Sequence, residues 1–316
     1  MAVKQRVAII GSGLIGRSWA IVFAGGGFDV ALYDAVPGIA EQARTRVVED
    51  FDEISAYGLV KDAKGAAARV RTAAKLADAL DGAGYVQENS PETLEAKRSV
   101  FAELDRLAAP DCILASSTST IVASRFTETL EGRHRCLVAH PVNPPHLVPL
   151  VELVGAPWTA PETVTRAKAI YELIGQVPIV VRREIDGFIL NRLQAVLLSE
   201  AFRLAGDGYV SPKDLDKTLK DGLGLRWSFM GPFETIELNA PAGIPDYCDR
   251  YGPSLSRLSA ANPSLYKEGN LKRILSQWQP LDSGQVATRM RWRDRRLAAL
   301  KAHKRSQSAQ DYPPRS

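Results

Sequence analysis

A glycine-rich turn between an apolar run and a helical stretch constrains the fold of this chain more than any other feature. Residues 6–10 (Arg-Val-Ala-Ile-Ile) lead into Gly11-Ser-Gly-Leu-Ile-Gly16, and a helical stretch follows from Arg17 to Ala24. After three further glycines, the apolar residues 28–33 end at Asp34. A strand, a tight turn, a helix and a second strand within about 30 residues form a βαβ unit. The two strands are therefore predicted to be parallel neighbours in one sheet.

The alternation of strands and helices continues to about residue 185. Helical patterns fill residues 36–81, with a break at Tyr57-Gly58, and residues 92–108. Apolar runs predict further strands at 85–88, 112–116 and 135–139. This alternation predicts an α/β fold of the Rossmann type: a doubly wound, mostly parallel sheet with helices on both faces.

The second part of the sequence carries a different pattern. Apolar residues recur at helical spacing from Ile189 to Leu204. Ser211-Pro212 predicts another helix start, and Gly231-Pro232 predicts a junction between helices. We therefore predict two domains: a Rossmann-type domain at residues 1–187, and an all-α C-terminal domain at residues 188–316 that ends in a basic helix and tail.

The spacing of the three glycines indicates a dinucleotide site. Gly11 permits a tight turn, Gly13 lets a pyrophosphate approach the N-terminus of the helix, and Gly16 allows the helix to pack closely on the strand. Asp34 follows Gly16 by 18 positions and would accept hydrogen bonds from the adenosine ribose. A carboxylate there favours NAD over NADP. The predicted cofactor-binding residues of this turn are Gly11, Ser12, Gly13, Leu14, Ile15, Gly16 and Asp34. The alternative is a glycine turn without a ligand.

Two later segments place polar side chains at the ends of predicted strands, where ligands bind in open α/β sheets. Hydroxyl residues occupy positions 116–120, and His140 ends the strand at 135–139. Glu152 interrupts an apolar strand, where a carboxylate is costly unless it is paired. Its nearest sensible partner is His140, and a histidine oriented by a buried carboxylate is a general base. The alternative is a core histidine and an edge-strand glutamate.

These motifs resemble the 3-hydroxyacyl-CoA dehydrogenase superfamily over nearly the whole chain. They are GSGLIG with Asp34, SSTS at 116–119, HPVNPP at 140–145, VELV at 151–154, DGFILNR at 186–192 and GPFE at 231–234. The resemblance implies that His140 is the base and Glu152 orients it. Ser119 and Asn191 would hydrogen-bond the reacting oxygen, and Asn143 would help to fix the substrate and the histidine. Glu88 and Lys97 match positions near the nicotinamide half of the cofactor.

Finer features are similar to one branch of that superfamily, which contains lambda-crystallin and L-gulonate 3-dehydrogenase. They are the segments 221–235, 237–243 and 247–254. Ordinary acyl-CoA members have a longer, lysine-richer helical arm before the strand at 85–88, whereas here that arm is compact and alanine-rich, from Ala63 to Ala79. The family's usual Asn-Thr-Ser is Ser117-Thr-Ser119 in this chain. The phosphates of an acyl-CoA require cationic groups, so the shorter arm at 63–79 favours a small free acid as the substrate. The resemblance also implies a homodimer formed through the helical domain.

Several substrates and one non-enzymatic role remain as alternatives. An L-gulonate-like 3-hydroxy acid is the leading candidate, and Arg226 is the residue expected to bind its carboxylate; the alternative is a salt bridge from Arg226 to Asp221 or Glu234. A short-chain 3-hydroxybutyryl-CoA is the second candidate. L-carnitine is the third, with Trp227 and Phe229 as aromatic faces for its cation. A purely structural protein, as crystallins are, would be expected to have lost the His–Glu pair.

Composition and charge exclude other classes of function. The net charge is +4, but residues 289–305 contain eight basic side chains and one acidic one. No aromatic pattern accompanies these charges, so we predict a solvated terminal helix and no nucleic-acid partner. The three cysteines form no CxxC pair, and no metal site is predicted. The absence of a long apolar run and of a signal-peptide pattern predicts a cytoplasmic protein with no membrane partner.

Overall fold

An eight-stranded sheet organises the first part of the chain. The computed structural model describes residues 6–228, 230–241, 243–258 and 283–307. The strands are β1 (Arg6–Ile10), β2 (Asp29–Tyr33), β3 (Val70–Thr72), β4 (Tyr85–Glu88), β5 (Ile113–Ser116), β6 (Cys136–Pro141), β7 (Leu150–Gly155) and β8 (Val177–Val181). Their order across the sheet is β3-β2-β1-β4-β5-β6-β7-β8.

Helices connect the strands of this sheet. They are α1 (Leu14–Gly25), α2 (Ile39–Ser55), α3 (Ala63–Ala68), α4 (Leu76–Leu80), α5 (Leu94–Leu107), α6 (Ser124–Thr127) and α7 (Pro161–Leu173). Later in the chain come α8 (Leu190–Gly206), α9 (Pro212–Lys217), α10 (Gly224–Trp227), α11 (Pro232–Glu237), α12 (Gly243–Leu258) and α13 (Ser283–Gln307). Among the described helices, none combines the length and the apolar character that crossing a membrane requires.

The predicted Rossmann-type fold is confirmed. Neighbouring strands are parallel except at β6 and β7, which pair antiparallel, so β7 and β8 run against the other strands. β1 lies between β2 and β4, and the chain winds outwards from it in both directions. In such a sheet a crevice forms at the carboxyl ends of the two strands where the order reverses. The glycine turn after β1 lies at that crevice.

Local structure differs from prediction in the segment expected to be helical throughout. Residues 36–81 contain the short strand β3, which pairs with β2 and separates α3 from α4. Val70 of this strand is buried. The alanine content of the segment favours helix locally, but pairing with the edge of the sheet and burial of Val70 outweigh that preference here.

Two apolar cores lie on the two faces of the sheet. One contains the packed rings of Trp19 and Phe23 from α1, and Tyr171 from α7. The other contains Phe101 of α5 and Phe126 of α6, whose ring centroids lie 4.7 Å apart. Burial on both faces explains why the central strands are almost continuously apolar.

The chain forms two compact units whose limits differ from the predicted division. One unit comprises residues 1–191 and 287–316, and the other comprises residues 192–286. The first limit lies four residues beyond the predicted 187. Helix α13 was predicted to belong to the helical domain and to be solvated on its surface. Its basic side chains Arg291, Arg295 and Arg296 are exposed, but Ala298 is buried in the core that contains Trp19, and Leu297 packs against that core.

The close approach of α1 to β1 gives a prediction for stability. A Cβ added at Gly16 would lie 1.9 Å from the carbonyl oxygen of Gly11, so Gly16→Ala must push the helix away from the strand. We expect a loss of about 3 kcal/mol in the free energy of unfolding, measured by chemical denaturation. A Cβ added at Gly13 has no neighbour within 4 Å, so the control Gly13→Ala should lose less than about 1 kcal/mol. Equal losses in the two variants would contradict the packing argument.

Candidate active site

His140 and Glu152 face each other across the antiparallel pair of strands. β6 and β7 place the two residues in direct register, on the same face of the sheet. His140 Nδ1 lies 2.8 Å from Glu152 Oε2, and both side chains are buried. Nδ1 carries the proton in this contact, since it faces a carboxylate. Within the described residues Nε2 has no hydrogen-bond partner, which leaves it for proton transfer. The sequence predicted this pair, and the structure brings it together.

The second oxygen of Glu152 binds the start of helix α8. Glu152 Oε1 accepts hydrogen bonds from the backbone amides of Ile189, at 2.8 Å, and Leu190, at 3.0 Å. Burial alone would raise the pKa of Glu152, but the hydrogen bonds from His140 and these two amides outweigh it and hold the pKa below its ordinary value. Glu152 is therefore ionised at neutral pH.

A sharp turn at the end of the sheet places an aromatic ring beside His140. Gly187 has φ +74°, and Phe188 has φ +49°, a left-handed conformation that bulky residues rarely adopt. The turn directs the Phe188 ring into the core, where its centroid lies 5.3 Å from that of His140. The imidazole of His140 therefore has both Glu152 and the buried Phe188 ring as neighbours.

Glu92 fixes the loop that carries Ser119, a role that the sequence analysis did not predict. Glu92 Oε1 accepts hydrogen bonds from Thr118 Oγ1 at 2.6 Å, from the Ser119 amide at 2.8 Å, and from the amide and hydroxyl of Thr120 at 3.0 and 3.2 Å. The carbonyl oxygen of Ser119 in turn accepts from Asn191 Nδ2 at 2.8 Å. This bond brings Ser119 and Asn191 together, and their contact with the reacting oxygen stays a prediction. Glu92 lies in an irregular connection before α5, where a carboxylate carries no distinctive sequence signal.

Glu88 and Lys97 form a buried ion pair beneath the crevice. Lys97 Nζ donates to both oxygens of Glu88, at 2.9 and 3.1 Å, and to the carbonyl of Ser90 at 3.0 Å. Glu88 also accepts from Ser116 Oγ at 2.6 Å and from the Ser90 amide. These bonds use the donors of Lys97 and most acceptor positions of Glu88. The contact of Glu88 and Lys97 with the nicotinamide half of the cofactor stays a prediction. Their observed bonds to Ser90 and Ser116 fix the ends of β4 and β5.

Ser117, which replaces the family's usual asparagine, is the centre of a polar network. Its hydroxyl donates to Asn89 Oδ1 at 2.7 Å and accepts from Trp19 Nε1 at 3.0 Å and from Gln87 Nε2 at 2.6 Å. Gln87 Oε1 accepts in turn from the buried Tyr171 hydroxyl at 2.5 Å. The network ties α1, β4 and α7 to the end of β5. Ser117 is therefore fully hydrogen-bonded, although it departs from the family pattern.

The glycine turn has the shape that a dinucleotide requires. Gly11 has φ +85°, and a Cβ there would lie 2.6 Å from the carbonyl of Asn89. The space next to Gly13 is clear, and no side-chain cap binds the first-turn amides of α1. Those amides are available to a pyrophosphate. Asp34 directly follows β2, and its carboxylate accepts from the amides of Ser12 at 2.7 Å and Val36 at 3.0 Å.

The environments of the remaining predicted residues are as follows. Asn143 is exposed in the loop after β6. Arg226 is half-buried in α10, and neither acid considered as its partner is within ion-pair distance in the described chain: Asp221 lies 3.3 Å from Lys220, and Glu234 accepts from the Gly231 amide. Phe229 lies outside the described residues. Over the part of the chain that the structure describes, no cluster of His, Cys, Asp and Glu is suited to a metal ion.

Comparison with known proteins shows which family the chain resembles. Residues 6–185 match the model of the 3-hydroxyacyl-CoA dehydrogenase NAD binding domain, and residues 187–277 match that of the C-terminal domain. Lambda-crystallin of Oryctolagus cuniculus is 42% identical over 306 residues, 93% of this chain and 96% of the crystallin. L-carnitine dehydrogenase of a Pseudomonas species is 40% identical over 250 residues, 78% of this chain and 77% of that enzyme.

A solved structure supports the same assignment. 5-Formyl-3-hydroxy-2-methylpyridine 4-carboxylic acid 5-dehydrogenase, an NAD+-dependent dismutase, superposes with a TM-score of 0.82 at 29% identity and covers 94% of this chain and 97% of that one. The predicted resemblance and the predicted cofactor are thus confirmed. The chain belongs to the 3-hydroxyacyl-CoA dehydrogenase family of NAD-dependent dehydrogenases.

Proposed function

We propose that this protein oxidises the 3-hydroxyl group of a small hydroxy acid of the L-gulonate type to the 3-keto acid, with His140 as the general base. The buried contact between His140 and Glu152 is the observation that carries the proposal. Bound NAD supplies the chemistry of a two-electron oxidant that accepts a hydride from the substrate carbon. A base must remove the hydroxyl proton as the carbon–hydrogen bond breaks, and His140 Nε2 is the group available for it.

The residues around His140 have distinct parts in this scheme. Glu152 keeps Nδ1 protonated and stabilises the imidazolium that forms when Nε2 takes the proton. Ser119 and Asn191 hydrogen-bond the reacting oxygen, and Glu92 holds the Ser119 backbone in place for that contact. Asn143, in the loop that joins β6 to β7, helps to position the substrate and the histidine.

The preference for a free acid rests on two lines of support. The segment between α2 and β4 consists of two short helices, α3 and α4, and one short strand, β3. Such a compact segment offers little surface for the phosphates of a coenzyme A. Relatives named lambda-crystallin and L-carnitine dehydrogenase are at least 40% identical to the chain, and L-carnitine is itself a small 3-hydroxy acid. L-carnitine and a short-chain 3-hydroxyacyl-CoA are the alternative substrates, and both enter the tests below.

A homodimer and a cytoplasmic location complete the proposal. Helix α8 exposes the side chains of Leu193, which is 66% exposed, and Val196, which is 73% exposed. Apolar side chains grouped on one helix are typical of surfaces that associate with another protein copy. We propose that the helical unit supplies the dimer interface.

Substitution of the base is expected to abolish most of the activity. His140→Ala should lower kcat by about 10²–10⁴-fold with L-gulonate and NAD, because no other group removes the hydroxyl proton. Glu152→Gln should also be impaired, because the imidazolium loses its charged partner. Titration calorimetry should show NAD affinity close to that of the unaltered protein. If His140→Ala retained more than about a tenth of the activity, the assignment would be wrong.

The cofactor preference follows from Asp34. The 2′-phosphate of NADP would approach this carboxylate with like charge, and Ala35 beside it supplies no cation. We expect kcat/KM to favour NAD by at least about tenfold, which corresponds to about 1.4 kcal/mol. Steady-state kinetics with both cofactors measures this ratio, and comparable values would contradict the role of Asp34.

Arg226 provides a test of the substrate class. Its guanidinium would bind the carboxylate of a free acid through two parallel hydrogen bonds. Arg226→Met should therefore raise KM for L-gulonate at least about tenfold, as the loss of a charged hydrogen bond predicts. KM for 3-hydroxybutyryl-CoA, whose acyl group has no carboxylate, should change little. L-carnitine, which has the carboxylate and a cation, should behave like the free acid.

The outcomes of this experiment separate the alternatives. An equal loss with both substrates, or no effect with the acid, would give Arg226 a structural role and favour the acyl-CoA as substrate. Lys220→Met is the matched control, because Lys220 is an exposed cation in the same segment and pairs with Asp221. It should leave KM for either substrate unchanged.

A further inference from the structure

Helix α13 lies beyond the part of the chain that the family models describe. Those models end at residue 277, whereas α13 spans Ser283–Gln307. From residue 287 onwards the chain belongs to the same compact unit as the sheet. Ala298 is 2% exposed, and it shares a core with Leu147, which lies in the loop between β6 and β7. The C-terminal helix is therefore packed on the loop that separates His140 from Glu152.

Direct hydrogen bonds join α13 to backbone atoms of the sheet unit. Lys301 Nζ donates to the carbonyl oxygen of His146 at 2.8 Å, and Arg305 Nη1 donates to the carbonyl oxygen of Leu59 at 2.9 Å. Arg295 and Glu53 also approach within 3.7 Å, but both are largely exposed, and such pairs contribute little. A bond to a backbone carbonyl fixes the path of the chain, and Lys301 makes that bond in the β6–β7 loop.

The β6–β7 loop, residues 142–149, contains a hydrogen-bonded turn, and at its end the carbonyl of Pro149 accepts from the Val177 amide at 2.8 Å. The amides of Leu147 and Val148 both donate to the carbonyl of Pro144 at 3.0 Å and close a turn. Asn143, immediately before this turn, is exposed. The Lys301 bond falls inside the turn, at His146. Movement of the turn would therefore displace Asn143, which is three residues away.

Lys301 occupies a position that is unfavourable for a cation. Burial lowers the pKa of its amino group to about 8, and the positive charge of Arg305 acts in the same direction. An unbranched apolar side chain such as methionine would pack there without the loss of hydration. Packing alone therefore does not account for a lysine at this position, whereas the bond to His146 does.

We propose that α13 fixes the β6–β7 loop for catalysis and that Lys301 is the positioning residue that does so, by binding the carbonyl oxygen of His146. The effect on turnover rests on the proposed function, with Asn143 as the residue that contacts the substrate. The effect on the loop itself does not depend on which substrate the protein uses. Lys301 thus acts through the loop and has no part in the proton transfer.

Lys301→Met tests the proposal in the full-length protein. Hydrogen–deuterium exchange of the Leu147 and Val148 amides should quicken by about tenfold, the effect expected when a hydrogen bond from a charged donor is lost. The value of kcat with L-gulonate should fall by about tenfold, because small displacements of positioning groups slow the chemical step. NAD affinity and Tm should not decrease, since methionine removes a poorly hydrated charge. Lys301→Arg, which keeps a donor, should retain most of the exchange protection and most of the turnover of the unaltered protein.

The matched control is Lys304→Met, which removes an exposed positive charge from the same helix. It should leave exchange and turnover unchanged. Unchanged exchange in Lys301→Met, or equal changes in the two methionine variants, would overturn the proposal. A fall in kcat together with a lower Tm would also overturn it, if Lys301→Arg restored neither quantity. If the unaltered protein turned over none of the three substrates, the proposed function would fail, while the exchange experiment would still decide the role of Lys301.

Discussion

The carboxylate of Glu152 carries a negative charge in the interior of the sheet, and three donors surround it. One oxygen faces His140, and the other accepts from the amides of Ile189 and Leu190. A buried charge is tolerated when it is fully paired and hydrogen-bonded, and it is strongly destabilising when a partner is removed. The Glu152 carboxylate thereby joins β6 and β7 to the first turn of α8. The positions of His140 and of the first residues of α8 both depend on this carboxylate.

The parallel part of the sheet fixes the other half of the site. Because β1, β4 and β5 are parallel neighbours, the glycine turn, the Glu88–Lys97 pair and the Ser119 loop all emerge at one edge. The connection from β6 to β7 is short, and a short connection can join antiparallel strands but not parallel ones. The antiparallel strand β7 therefore brings Glu152 to His140 at that edge. The candidate site thus combines a glycine turn at the ends of parallel strands with a His–Glu pair held by two antiparallel strands.

Much of this could be predicted from local signals. The glycine spacing, Asp34, and the polar residues at strand ends have strong positional meaning, and the His140–Glu152 pair follows from the cost of an unpaired carboxylate. β3 could not be predicted, because a three-residue strand in an alanine-rich segment is stabilised by its neighbour β2. Glu92 and Lys301 were missed for a similar reason. Each acts on backbone atoms far away in sequence, by 26–28 residues for Glu92 and 155 for Lys301, and no spacing rule connects such partners.

The sheet unit is discontinuous along the chain, since the 95 residues of Arg192–Val286 lie between its two segments. A ribosome adds about 5–20 residues per second, so the sheet is made roughly 5–20 s before α13 follows it. During that interval the apolar surface around Ile54 and Leu147, which helps to enclose Ala298 in the finished protein, has no covering helix. The nascent chain therefore exposes a hydrophobic patch on an otherwise assembled nucleotide-binding sheet. Completion of that sheet unit therefore has to wait until residues 192–286 have been synthesised.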